Sequence, residues 1–110
     1  MNMNINDFTS AERAVLGFVS IDSEFTLETF CEYLTMYSEL KEVKEPEQTL
    51  NSLVEKGMAK IVTIKNRKDK PVKAYRFLYA IRTQTNGQAV FYDLQQALQE
   101  MTRLRNEICP

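Results

Sequence analysis

The stretch Pro46–Leu78 constrains this chain more than any other. It runs PEQTLNSLVEK, Gly57, MAKIVTIK, NRKDKP and VKAYRFL. Leu50, Leu53 and Val54 recur at helical spacing, which predicts a helix with those residues on its buried face. Pro46 suits the first turn of that helix, where its missing N–H is no loss. Gly57 is placed to end it in the left-handed conformation. Ile61–Ile64 is rich in β-branched residues and predicts a strand. Lys73–Tyr79 alternates, with Tyr75, Phe77 and Tyr79 on one side and Arg76 and Leu78 on the other. Between them, Asn66–Pro71 is polar or turn-forming throughout. The expectation is a helix running directly into a long hairpin with a charged tip.

The rest of the chain supplies helices. Thr9 and Glu12 form a T-x-x-E capping box ahead of Ala11, Ala14, Val15, Phe18 and Val19, predicting a first helix over about 10–19. Ile21–Phe25 is a short connection suited to pairing with the later hairpin. Thr26 is a candidate N-cap for a second helix reaching Ser38, with Leu27, Phe30, Cys31, Leu34 and Tyr37 facing inward. Asn86-Gly87 marks a break. From Gln88 to Ile108 the chain has no glycine or proline, and it reads as one helix of ~30 Å. Its apolar stripe is Phe91, Leu94, Leu98, Met101, Leu104 and Ile108. The fold class is therefore α+β and mainly helical, with residues 1–82 forming the main unit and residues 88–110 a terminal helix attached to it.

Charge is the second informative property. The 110 residues carry a net charge of −1, which by itself does not mark a nucleic-acid binder. The average hides a split. Residues 22–55 hold nine acids and two bases, whereas residues 56–82 hold nine bases and one acid. Lys65, Arg67, Lys68, Lys70 and Lys73 place five of those bases within nine residues. Such a cluster suits a polyanion. Lysines at a hairpin tip also protect an exposed strand from aggregation, so the cluster has a purely structural reading as well.

Catalytic chemistry has little to work with. Histidine is absent, and Gly17, Gly57 and Gly87 are too scattered for a phosphate-binding loop. Cys31 and Cys109 are isolated from each other in sequence, which suits one buried thiol and one tail thiol rather than a zinc site or a disulfide. No enzyme activity, metal or cofactor is expected. MNMNINDF lacks a basic region followed by an apolar run, so no signal peptide is expected, and no apolar run is long enough for a membrane span. A cytoplasmic protein is the expectation.

The run TLNSLVEKGMAKIV resembles the third helix and following strand of winged-helix transcriptional regulators, through Leu50, Leu53, Glu55, Lys56, Gly57 and Met58. KAYRFL is similar to the strand that returns from their wing. The likeness covers about residues 9–80 and is closest in style to the penicillinase-repressor, PadR and MarR groups, without selecting one of them. It implies a winged helix of three helices and a β-hairpin wing, here extended by a long C-terminal helix. It further implies duplex DNA as the partner. Gln48, Thr49, Asn51 and Ser52 of the third helix would read bases. Lys65, Arg67, Lys68, Lys70 and Lys73 of the wing would hold phosphates.

The apolar stripe of the last helix points to a homodimer, with Phe91, Leu94, Leu98, Met101, Leu104 and Ile108 at the seam, giving a two-fold repressor. Glu45, Glu47 and Glu55 flank the third helix and would repel phosphate. They support an alternative, a protein-interaction module (antirepressor or adaptor) whose acidic helices dock a basic protein partner. A weaker third expectation is a small-molecule cleft lined by Tyr33, Met36, Tyr37, Phe91 and Tyr92.

Overall fold

The computed structural model describes residues 4–108. The chain is an α+β globule with four α-helices and two small antiparallel sheets. After a 3₁₀ turn at Ile5–Asp7 come α1 (Ser10–Phe18), β1 (Glu24–Phe25) and α2 (Leu27–Met36). A second 3₁₀ turn at Ser38–Leu40 leads to α3 (Pro46–Glu55). Then follow β2 (Ala59–Lys65), β3 (Pro71–Phe77), β4 (Tyr79–Thr83), β5 (Ala89–Asp93) and α4 (Leu94–Ile108). The first sheet has the order β1-β3-β2, and β4 pairs with β5 in the second.

Local chemistry explains most of these boundaries. Thr9 caps α1 through the reciprocal bonds of the capping box, and Thr26 caps α2 by accepting from the Thr29 amide. Gly57 has φ +81°, and around it Met58 N–H bonds to the Leu53 carbonyl at 2.9 Å and Gly57 N–H to that of Val54 at 3.0 Å. This pair of bonds is the Schellman closure of a helix. The freed Met58 carbonyl accepts the Leu78 amide at 2.9 Å, which fixes the bend between β3 and β4.

The core joins the helices to the first sheet. Val15, Leu16, Phe30, Leu40, Leu50, Leu53, Tyr75 and Phe77 are all buried. Phe25 stacks between Phe30 and Phe77, at 5.5 Å from each ring. The brief strand β1 places it there by pairing with β3 in the register Phe25–Tyr75.

Three expectations need correction. First, the terminal helix does not begin at Gln88. Residues 89–93 form β5, which pairs with β4 across a turn containing Gly87 at φ +85°. The spacing of Phe91, Leu94 and Leu98 suits a helix. Pairing with β4 places Phe91 in a strand instead, where its ring packs edge-on against Phe8 at 5.5 Å. The second sheet also makes the chain less dominated by helix than expected. Second, Cys31 is exposed, because α2 turns Phe30 inward and Cys31 falls on the other side. Cys109 lies outside the described residues. Third, the aromatic cleft does not form as one site: Tyr33 and Tyr37 pack on Phe18, Phe91 faces Phe8, and Met36 is 66% exposed. No helix among the described residues is long and apolar enough to cross a membrane.

One charged residue lies inside this core. Glu12 is 2% exposed. Its carboxylate accepts from the Thr9 amide (2.8 Å), Lys56 Nζ (2.8 Å) and Ser52 Oγ (2.7 Å). Lys56 also bonds to the Asp7 carbonyl and lies over the Phe8 ring. Burial pushes the Glu12 carboxyl up, but the bonds from Lys56, Thr9 and Ser52 and the lysine charge outweigh it, so its pKa falls below the ordinary value.

Between that lowered value and the ordinary ~4.3, the unfolded chain binds more protons than the folded one. Glu12 therefore contributes fully above this window, and its contribution is lost as pH falls through it. Thermal melts should show a Tm insensitive to Glu12 protonation from pH 7 to about 5, then an acid-side fall that Glu12→Gln reduces. Lys56→Met strands the carboxylate and should lower stability at pH 7 by about 2–3 kcal/mol, read by urea unfolding.

Candidate nucleic-acid interface

The hairpin of β2 and β3 carries the basic cluster. The two strands pair over their full length, from Ala59–Phe77 to Lys65–Pro71. The loop between them is held by one side chain. Asn66 Oδ1 accepts the amides of Lys68 (2.9 Å) and Lys70 (3.0 Å), and the Asn66 amide bonds to the Lys70 carbonyl at 2.9 Å. Asp69 takes the left-handed conformation at φ +60°, which asparagine and aspartate tolerate better than most residues. The tip is thus a built loop with its backbone largely satisfied.

Its side chains point to solvent. Residues 65–71 are all exposed. Lys65 lies 3.6 Å from Asp69, and with both side chains solvated this pair is weak. Lys73 sits over the Tyr75 ring at 5.3 Å. Arg67, Lys68 and Lys70 make no ion pair among the described residues. A cleft of about 770 Å³ separates this tip from Glu28 and Glu32 of α2, so the acids there do not neutralise it by contact.

Three other bases of residues 56–82 have structural work, whereas Lys60 stands exposed on β2. Lys56 is turned inward to Glu12. Arg76 is half-buried, bonded to Glu24 at 2.8 Å and beside Asp22 at 3.7 Å. Arg82 donates to the Val19 carbonyl at 2.8 Å and approaches that of Gly17 at 3.5 Å, placing a cation at the C-terminal end of α1. Among the described residues of 56–82, the positive charge left free to meet a ligand therefore lies along the hairpin and is densest at its tip.

The four residues of α3 expected to read bases do not form one free set. Thr49 is 8% exposed and donates its hydroxyl to the Glu45 carbonyl at 2.8 Å. It lies on the inner face, which corrects its assignment as a base reader. Ser52 donates to buried Glu12. Asn51 accepts from the Tyr75 hydroxyl at 2.9 Å, which fixes the orientation of its amide and leaves its N–H groups and one oxygen lone pair for a partner. Gln48 is exposed and makes no side-chain bond among the described residues. Around it Glu45, Glu47, Asn51, Ser52 and Glu55 line a shallow depression of about 630 Å³. The inward turn of Lys56 leaves this face more acidic than its sequence suggests.

The expected seam residues also separate. Leu94, Leu98, Met101 and Leu104 lie along α4 and are 46%, 53%, 62% and 43% exposed. Phe91 is not among them, being packed against Phe8 on β5. The side chain of Ile108 lies outside the described part. A capping box that sequence reading overlooked starts this helix. Asp93 Oδ1 accepts the Gln96 amide and Gln96 Oε1 accepts the Asp93 amide, both at 2.9 Å. The D-x-x-Q signal was present in the chain. Tyr92 donates its hydroxyl to Glu100 at 2.6 Å, and this bond raises the tyrosine pKa.

Replacing Asn66 with alanine should leave the fold intact and loosen the tip, seen as faster amide hydrogen exchange at Lys68 and Lys70 with no change at Tyr75. Equal exchange in both proteins would mean the loop is not held by this side chain. No family model, curated protein or solved structure matches the chain.

Proposed function

We propose that this chain is a winged-helix DNA-binding regulator, acting in the cytoplasm as a homodimeric repressor on a two-fold duplex site. The observation that carries the reading is the hairpin tip. Three cations, Arg67, Lys68 and Lys70, stand exposed and without an ion pair among the described residues, on a loop organised by Asn66. Phosphate contacts of this kind supply most non-specific affinity for duplex DNA. The element order α1-β1-α2-α3-β2-β3 and the sheet order β1-β3-β2 support the winged-helix assignment. The exposed stripe of α4 supports the dimer.

In this reading the duplex is gripped chiefly by its backbone. Lys65 and Lys73 extend the charged track down the hairpin behind the three tip cations. Base reading is sparse, because Thr49 is buried and Ser52 and Asn51 are engaged within the chain. Gln48 is the residue of α3 best placed to form a bidentate contact with adenine.

The acidic depression around Gln48 favours a second reading, in which α3 docks a basic protein and the chain is an antirepressor or adaptor. Charge separates the two. Reversing Glu45 and Glu47 to lysine should strengthen DNA binding under the first reading and abolish partner binding under the second.

Titration of the full chain against mixed-sequence duplex, followed by fluorescence anisotropy at several salt concentrations, tests the proposal. The triple variant Arg67→Ala, Lys68→Ala, Lys70→Ala should bind every sequence more weakly, with a log–log salt slope flatter by about 2–3 units per protomer, about 5 for a dimer that engages both tips. An unchanged slope would remove the tip from the interface.

A further inference from the structure

The surface of α4 carries more information than its exposure. The helix is attached to the domain at its start, through the Asp93–Gln96 capping box and the Tyr92–Glu100 hydrogen bond. Beyond that, large apolar side chains face solvent from Leu94 to Leu104, Met101 at 62% exposure. Fifteen residues of isolated helix are marginal in water, so a helix with this stripe gains from a covering surface.

Spacing specifies what kind of surface. Leu94, Ala97, Met101, Leu104 and Ile108 follow one another at intervals of three, four, three and four. That is the a-d-a-d-a seam of a heptad repeat. Leu98 falls beside it at position e. The outward positions b, c and f hold only Gln, Thr, Arg and Asn. The flanking charges are segregated by side. Asp93, Glu100 and Glu107 all fall at g, and Arg105 falls at e.

This segregation distinguishes the two ways of pairing a helix with its own copy. In an antiparallel pair g faces g and e faces e. Acids would meet acids, and Arg105 would meet no acid. In a parallel pair a g residue faces the e residue five positions later on the other chain. Glu100 then meets Arg105, and two-fold symmetry makes the contact twice. Glu100 bonds to Tyr92 through Oε2, which leaves Oε1 open for the guanidinium.

We infer that α4 pairs with the α4 of a second copy as a parallel two-stranded coil, with Glu100 of each chain opposite Arg105 of the partner subunit. This rests on the homodimer proposed above and adds its orientation and register. The two globular domains then lie at the same end of the coil, where the strand β5 delivers each helix.

The test uses the full chain without DNA, so failure of phosphate binding at the hairpin tip would leave it unaffected. In a background with Cys31→Ser and Cys109→Ser, Ala97→Cys places a thiol at d, and Thr102→Cys places one at b on the outside. Under a glutathione redox buffer, Ala97→Cys should become an interchain disulfide dimer and Thr102→Cys should stay reduced. Sedimentation equilibrium on the thiol-free background should show that Glu100→Arg alone, or Arg105→Glu alone, weakens association about tenfold. The two together should restore it to within about threefold, taking each pair at the size usual for helix surface charges. Circular dichroism confirms that each variant keeps its fold.

A monomer at all concentrations would overturn the pairing and the homodimer with it. A dimer in which Ala97→Cys stays reduced and Glu100→Arg tightens association would overturn the parallel orientation alone.

Discussion

The buried carboxylate of Glu12 fixes how α1 and α3 pack. It sits on α1 and takes donors from both ends of the contact with α3: the Thr9 amide at the cap of α1, Ser52 of α3 and Lys56 at its C-cap, the last of which also bonds to the Asp7 carbonyl of the N-terminal turn. A buried ion pair adds little net stability over an apolar contact of the same shape, yet removing one partner is expensive. Its value therefore lies in selecting one arrangement. Only with α3 in its observed rotation do Ser52 and Lys56 both reach Glu12. That rotation turns Lys56 away from solvent and engages Ser52. On the same helix Asn51 Oδ1 accepts from Tyr75. The outer face of α3 is left acidic, and the densest group of exposed cations is that of the hairpin beyond it. The loss of Lys56 from the outer face of α3 thus follows from one interior interaction.

What could be read from the chain beforehand divides by distance along it. The Thr9–Glu12 box, the Thr26 cap, the Gly57 stop and the hairpin with its basic tip were legible, since each is decided within a few residues. So was the brief pairing of residues near Phe25 with the hairpin. Ser52 and Asn51 looked like free polar groups on a helix surface because their partners lie 40 and 24 residues away. Thr49 looked equally free, although its acceptor is only four residues back, because the inward phase of α3 was drawn too narrowly around Leu50, Leu53 and Val54.

The region after Leu78 failed for a different reason. Phe91 stands three residues before Leu94 and seven before Leu98, so it satisfies a helical stripe by coincidence of spacing. The decisive features were Asn86-Gly87 flanked by Ile81-Arg82-Thr83 and Ala89-Val90-Phe91, and the pair Asp93 and Gln96. Together they write a hairpin followed by a capped helix. Periodicity alone does not distinguish the last residues of a strand from the first turn of a helix when apolar residues continue across the junction.

The Arg82 contact has a consequence for assembly. The chain passes from β3 to β4 through Leu78 alone, whose amide is bonded to Met58, and Arg82 then clamps β4 onto the carbonyl end of α1. There is no slack tether between the globular core and the helix that would join two copies. In a paired molecule the second tip would be presented at a set distance from the first, not over a broad distribution. A rigid connection gives a high effective concentration at one separation and a low one at all others. The geometry of β4 and β5 would then act as a ruler, so that two charged tips of modest individual affinity respond sharply to the spacing of whatever they grip.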